Sequence, residues 1–200
     1  MLSVAKTLIA VTAVSVAMGV LVGTATANRL AASTQTLTVT WTAVTFTDAF
    51  GGTLQCPLTL AGSLHSRTIT KVAGALIGFI NRASFGVCSS GSATVLQAAL
   101  PWHVRYLGFS GVLPNITSVR TNVIGAALRF VTSTGVPCLF TSSTVQPLTV
   151  TYIRGAGGAV TSKSLGGTMT SNEACAFGFR TTINISGNSS TVTPLTITLI

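Results

Sequence analysis

From Leu37 the chain reads Leu-Thr-Val-Thr-Trp-Thr-Ala, which puts Leu37, Val39, Trp41 and Ala43 on one side of an extended backbone and threonines on the other. A period of two predicts a half-buried strand. The phase slips at Ala43-Val44 and resumes as Val44-Thr45-Phe46-Thr47, the mark of a bulge or bend ahead of a Gly51-Gly52 turn. The same alternation predicts strands at Trp102–Tyr106, Ile124–Phe130, Leu148–Ile153 and Leu195–Leu199. Clusters of Gly, Pro, Asn and Ser separate these runs, at 89–92, 114–115, 155–158 and 186–190. Val72–Ile80 is apolar almost all round. Gly74 and Gly78 penalise a helix there and the run is short, so it is read as a buried strand.

Segments about fifty residues apart echo one another. Val72-Ala-Gly-Ala-Leu-Ile-Gly-Phe79 followed by Cys88 resembles Val123-Ile-Gly-Ala-Ala-Leu-Arg-Phe130 followed by Cys138, which suggests a duplicated multi-strand unit. Strands at this spacing with polar turns between them predict an all-β fold: an antiparallel, disulfide-stapled β-sandwich, jelly-roll or Greek-key like, with two apolar faces packed together.

The first residues follow a different pattern. Lys6, the apolar run Leu8–Val22 and Ala25-Thr26-Ala27 form the basic, apolar and small-residue regions of a secretory signal peptide. The expected organisation is a signal-peptide helix over 1–27 and a single domain over 28–200. Beyond the leader no apolar run reaches the ~20 residues of a spanning helix, so no transmembrane anchor is expected after cleavage. Export also shapes the reading of Cys56, Cys88, Cys138 and Cys175. An even number in an oxidising compartment predicts two disulfides, and sequence-near pairing favours Cys56 with Cys88 and Cys138 with Cys175 among three possible connectivities.

Composition narrows the chemistry. Eleven Lys and Arg stand against two acids, Asp48 and Glu173, for a net charge of +9. Glycosidases ordinarily need two positioned carboxyl groups, and Asp48 and Glu173 are the sole possible pair. Two histidines are too few for a usual zinc site once the cysteines are oxidised, so no metal or cofactor is expected. Gly108-Phe109-Ser110-Gly111 is only a fragment of a nucleophile elbow. The most suggestive polar cluster is His65 and Arg67 after the Gly62-Ser63 turn, with His103 and Arg105 on the polar face of the Trp102 strand. Together they are weak candidates for an anion or sugar contact. The simpler alternative is that they merely face water. The basic residues are scattered, without a run or a recognisable module, so no specific nucleic acid is expected.

The segments 56–75, Pro101–Tyr106 and Leu113–Thr117 resemble uncharacterised secreted proteins of actinobacteria. That resemblance covers most of the mature chain, implies a bacterial, exported setting and carries no activity. The expected function is therefore a secreted, non-enzymatic structural or binding protein at the cell surface or in the extracellular matrix, contacting polyanionic or glycan polymer. The alternative is a secreted serine hydrolase using His65 or His103. Self-association through the apolar C-terminal strand, Thr193–Ile200, is a further expectation.

Overall fold

A computed structural model describes residues 29–49, 51–131, 137–171, 182–189 and 194–200; the leader, Glu173, Cys175 and Thr193 lie outside the described residues. The strands are β1 (Arg29–Ala32), β2 (Thr36–Asp48), β3 (Thr53–Leu64), β4 (Thr68–Thr70), β5 (Leu76–Phe85), β6 (Ser92–Val95) and β7 (Trp102–Val112). They continue as β8 (Asn115–Ile124), β9 (Ala127–Val131), β10 (Pro137–Thr141), β11 (Leu148–Arg154), β12 (Val160–Ser171), β13 (Thr182–Ser189) and β14 (Ile197–Leu199).

The fold is all-β and antiparallel, as the alternation predicts, and Cys56 is bonded to Cys88. The ladder pattern goes further. β2, β3, β5, β7, β8, β11, β12 and β13 follow one another around a single sheet, β13 returns to pair with β2, and β11 pairs with both β8 and β12. The two layers are therefore joined at both sides, and the sheet closes into an eight-stranded ring with no free edge. Consecutive ring strands are neighbours in space, an up-and-down meander.

Register fixes which residues look inward. Val39, Trp41, Val44, Phe46, Leu58, Leu60, Val104, Val123, Val150 and Leu165 are buried inside the ring. The bulge expected at Ala43-Val44 is present, because the β2–β3 register shifts between Trp41 and Val44 and so keeps both inward. The outward positions are largely hydroxyl and amide. Thr40 Oγ1 lies 3.1 Å from Thr59 Oγ1, Thr149 donates to Asn122 at 3.2 Å, and Thr168 donates to Asn184 at 3.0 Å. An apolar interior with a hydroxylated exterior is the reverse of the pattern that spans a membrane as a barrel.

Each end of the ring is covered. At the end where β2 starts and β3 finishes, β14, β1 and β4 form a separate three-stranded sheet that turns Leu30, Ile69 and Ile197 into the core. The C-terminal strand is thus not free: Ile197–Leu199 pairs with β1 in register Leu30↔Leu199. At the opposite end β10 leaves β12 and carries β9 and β6 with it. There Phe130 packs against Phe46, Phe85 and Phe140, with ring centroids 4.8, 6.2 and 5.6 Å away.

Two sequence expectations shift. Val72–Ile80 is only partly strand, because Gly74 takes φ 82° in a turn and β5 starts at Leu76. Ile124–Phe130 is not continuous either: Gly125 takes φ 83° between β8 and β9, a left-handed conformation glycine reaches at low cost. The echoed segments consequently occupy different elements, one leading into ring strand β5 and the other crossing from β8 to the end-covering β9.

Candidate functional site: the interior of the ring

The sequence-predicted polar residues lie on the outside. His65 and His103 flank the Phe79 ring, at centroid distances of 4.8 and 5.3 Å, so the phenyl group stands between the two imidazoles. Among the described residues no serine hydroxyl is hydrogen-bonded to either imidazole, and no nucleophile–base pair is assembled. Arg105 projects from the same face of β7 and donates to the Gly74 carbonyl at 3.3 Å. Arg67 is exposed in the turn between β3 and β4. The structure therefore joins His65 and His103 around one aromatic ring and leaves Arg67 exposed in the turn that follows His65. Asp48 is a turn residue, its Oδ1 accepting the Gly52 N–H at 2.7 Å. Cys138 is disulfide-bonded, and Cys175, its expected partner, lies outside the described residues.

The interior offers more. Beneath the β14–β1–β4 cap lies a cavity of about 60 Å³. Its ring-side lining includes Val39, Trp41, Leu60, Val104, Val123 and Tyr152, and Ala32, Ile69 and Ile197 close it from the cap. A void of this size exceeds several-fold what one water needs, within interiors that are otherwise close-packed. An eight-stranded ring is about the smallest that can hold a small molecule within it.

Polar groups mark one side of this space. Tyr152 shares a hydrogen bond with the Thr121 side chain, and burial holds its phenol above the usual range against the lowering effect of that bond. Thr121 in turn donates to the Val150 carbonyl at 3.4 Å. Opposite Tyr152 across the β11–β12 ladder is Lys163, which therefore shares its inward face. Lys163 is 1% exposed, the one charged side chain among the buried described residues. Its Nζ lies 5.8 Å from the centroid of the Tyr152 ring and has no hydrogen-bond partner. Burial lowers its pKa from 10.5 to about 8.

Trp41 is fully buried in the wall of the same cavity, and its Nε1–H also lacks an acceptor. Its ring is admitted by Gly187, where an added Cβ would meet Trp41 Cδ1 at 3.3 Å and Val44 Cγ2 at 3.1 Å. Gly187 is opposite Leu165 and Ser189 is opposite Lys163 in the β12–β13 ladder. The pyrrole edge of Trp41 and the Lys163 backbone thus approach the same stretch of one strand. Two buried groups that can only donate, a charged amine and an indole N–H, stand here without acceptors.

Sequence reasoning missed Lys163 because Ser162 and Ser164 flank it and make the segment look like a solvated face. The signal was its phase: Lys163 shares parity with Leu165 and Met169, both buried.

No protein-family model matches the chain, and neither does any curated protein or solved structure. Function must be argued from the site itself.

Proposed function

We propose that this chain is an exported, non-enzymatic binding protein that encloses one small, largely apolar molecule inside its ring. The observation that carries this reading is the capped cavity: an apolar space with the unpartnered Trp41 indole on its wall and the unpartnered Lys163 ammonium behind its Tyr152 side, inside a closed eight-stranded ring. Export is supported by the signal-peptide pattern and agrees with the disulfide bonds, which persist in oxidising compartments. Among the described residues no helix is long and apolar enough to cross a membrane. The setting implied by the resemblance, outside a bacterial cell, belongs to the same proposal.

The test is a titration with chloroform, a small neutral quencher of indole fluorescence, followed by tryptophan emission. Trp41 lines the cavity, so saturable binding with loss of Trp41 emission is expected, and Trp41→Phe removes most of the quenching while the other tryptophan remains. Quenching that rises without saturation, or quenching unchanged in Trp41→Phe, would place the probe outside the ring and end this reading.

A second reading concerns the exterior. Arg29, Arg67, Arg82, Arg120 and Arg129 are all exposed. A surface so poor in acids attracts polyanions, including wall or matrix polymers, through a field that salt screens. Retention on heparin at low salt that falls steeply with ionic strength is the expected result, and flow-through at low salt would remove it. Self-association through β14 is a lesser element of this reading, since one edge of that strand is already occupied by β1.

A further inference from the structure

We propose that the molecule held in the ring is an anionic amphiphile, its acid group paired with Lys163 and its hydrocarbon chain lying among Val39, Leu60, Val104 and Val123. This inference rests on the cavity reading above and adds the chemistry of the occupant.

The argument begins with donors and acceptors. An ammonium carries three N–H donors and no acceptor, and an indole carries one donor and no acceptor. Lys163 Nζ and Trp41 Nε1 are both buried and both unpartnered. A ligand with donors alone would leave them so, and an amine would add a second positive charge. A carboxylate brings two acceptor oxygens and the opposite charge, the complement of the Lys163 ammonium.

Charge gives the same answer. An isolated cation in an apolar interior is strongly disfavoured unless it is paired. Among the described residues the Tyr152 ring is the one group set against Lys163 Nζ, at 5.8 Å, and a π-face compensates only part of the lost hydration. Asp48, the one acidic side chain among the described residues, is engaged at the Gly52 turn at the far end of β2 from the cap. The chain itself therefore gives Lys163 no counter-ion in the described structure, and a ligand can.

Placement is consistent. Lys163 is opposite Tyr152, which lines the cavity, and its Nζ lies 5.8 Å from that ring's centroid, one side chain behind the lining. The rest of the lining is hydrocarbon, suited to a short acyl chain rather than to a sugar or nucleotide.

The experiment compares octanoate, octanol and octylamine by titration calorimetry with the full mature protein and with Lys163→Met. The wild type is expected to bind octanoate about tenfold or more tighter than octanol, and octylamine weakest of the three. In Lys163→Met octanoate loses this advantage while octanol binding persists. Equal affinity of the wild type for octanoate and octanol, or an acid preference that survives in Lys163→Met, would overturn the inference while leaving a cavity that binds neutral molecules. Failure of all three compounds to bind would instead defeat the cavity reading itself. Should Lys163→Met fail to fold, the order octanoate, octanol, octylamine in the wild type decides alone.

Discussion

Replacing Lys163 by Met should make the ligand-free protein more stable, by an amount that depends on pH in a defined way. Burial lowers the Lys163 pKa from 10.5 to about 8. The folded state therefore binds this proton less tightly than the unfolded chain does. At pH 7, below both values, the full penalty applies: a difference of 10.5 − 8 at roughly 1.36 kcal/mol per pH unit is about 3 kcal/mol. Between pH 8 and 10.5 the unfolded chain holds the proton that the folded state has released, so stability rises with pH and the penalty shrinks to about 1 kcal/mol near pH 10. Methionine has similar length and no charge, so it removes the penalty at every pH. Tyr106 and Tyr152, both raised above 10.0 by burial, keep their protons in the folded state over most of this range. Urea unfolding of both proteins, followed by tryptophan emission at pH 7, 8, 9 and 10, measures this directly. The expected result is a variant about 3 kcal/mol more stable at pH 7, with the gap closing toward pH 10. A variant less stable than wild type at pH 7, or a gap that does not change with pH, would refute the reasoning and show that Lys163 is paired or hydrated.

The remaining expectations concern what holds the ring and its ends together. The Cys56–Cys88 bond closes a loop with a sequence separation of 32, so the double substitution to serine should cost about 3 to 4 kcal/mol in a denaturant titration. Ser142 is buried, accepts the Ala126 N–H at 2.9 Å and donates to the Val123 carbonyl at 3.3 Å. Ser142→Ala leaves that N–H without its partner and should lower stability by roughly 1 to 3 kcal/mol, whereas the exposed Ser92→Ala should change it by less than about 0.5 kcal/mol. Phe130→Ala opens the aromatic cluster shared with Phe46, Phe85 and Phe140 and should cost roughly 3 to 5 kcal/mol, visible as a lower thermal midpoint.

Much of the fold was legible in the chain because one face of nearly every strand is buried. Alternation reported the inward phase of Val39 and Trp41, and the slip at Ala43-Val44 gave the bulge that the β2–β3 register contains. Apolar runs misled where a turn is built from apolar residues. Nothing in Ile124–Phe130 looks like a break except Gly125, and its positive φ is a property of the folded chain. Closure of the ring was not legible, because β13 meeting β2 joins strands more than a hundred residues apart, and strand periodicity says nothing about the partner. The polar cluster shows the same limit. His65 and His103 were grouped by residue type, and the register placed Phe79 between them. By residue type Lys163 is one more scattered cation, although its parity with Leu165 points inward.

The central claim is that the ring encloses a ligand, and a crystal of the mature protein soaked in 8-bromo-octanoate tests it most directly. Anomalous scattering from bromine is expected inside the ring beneath the β14–β1–β4 cap, with the carboxylate within hydrogen-bonding distance of Lys163 Nζ. Bromine found solely on the hydroxylated exterior, with side chains filling the space between Trp41 and Tyr152, would contradict it.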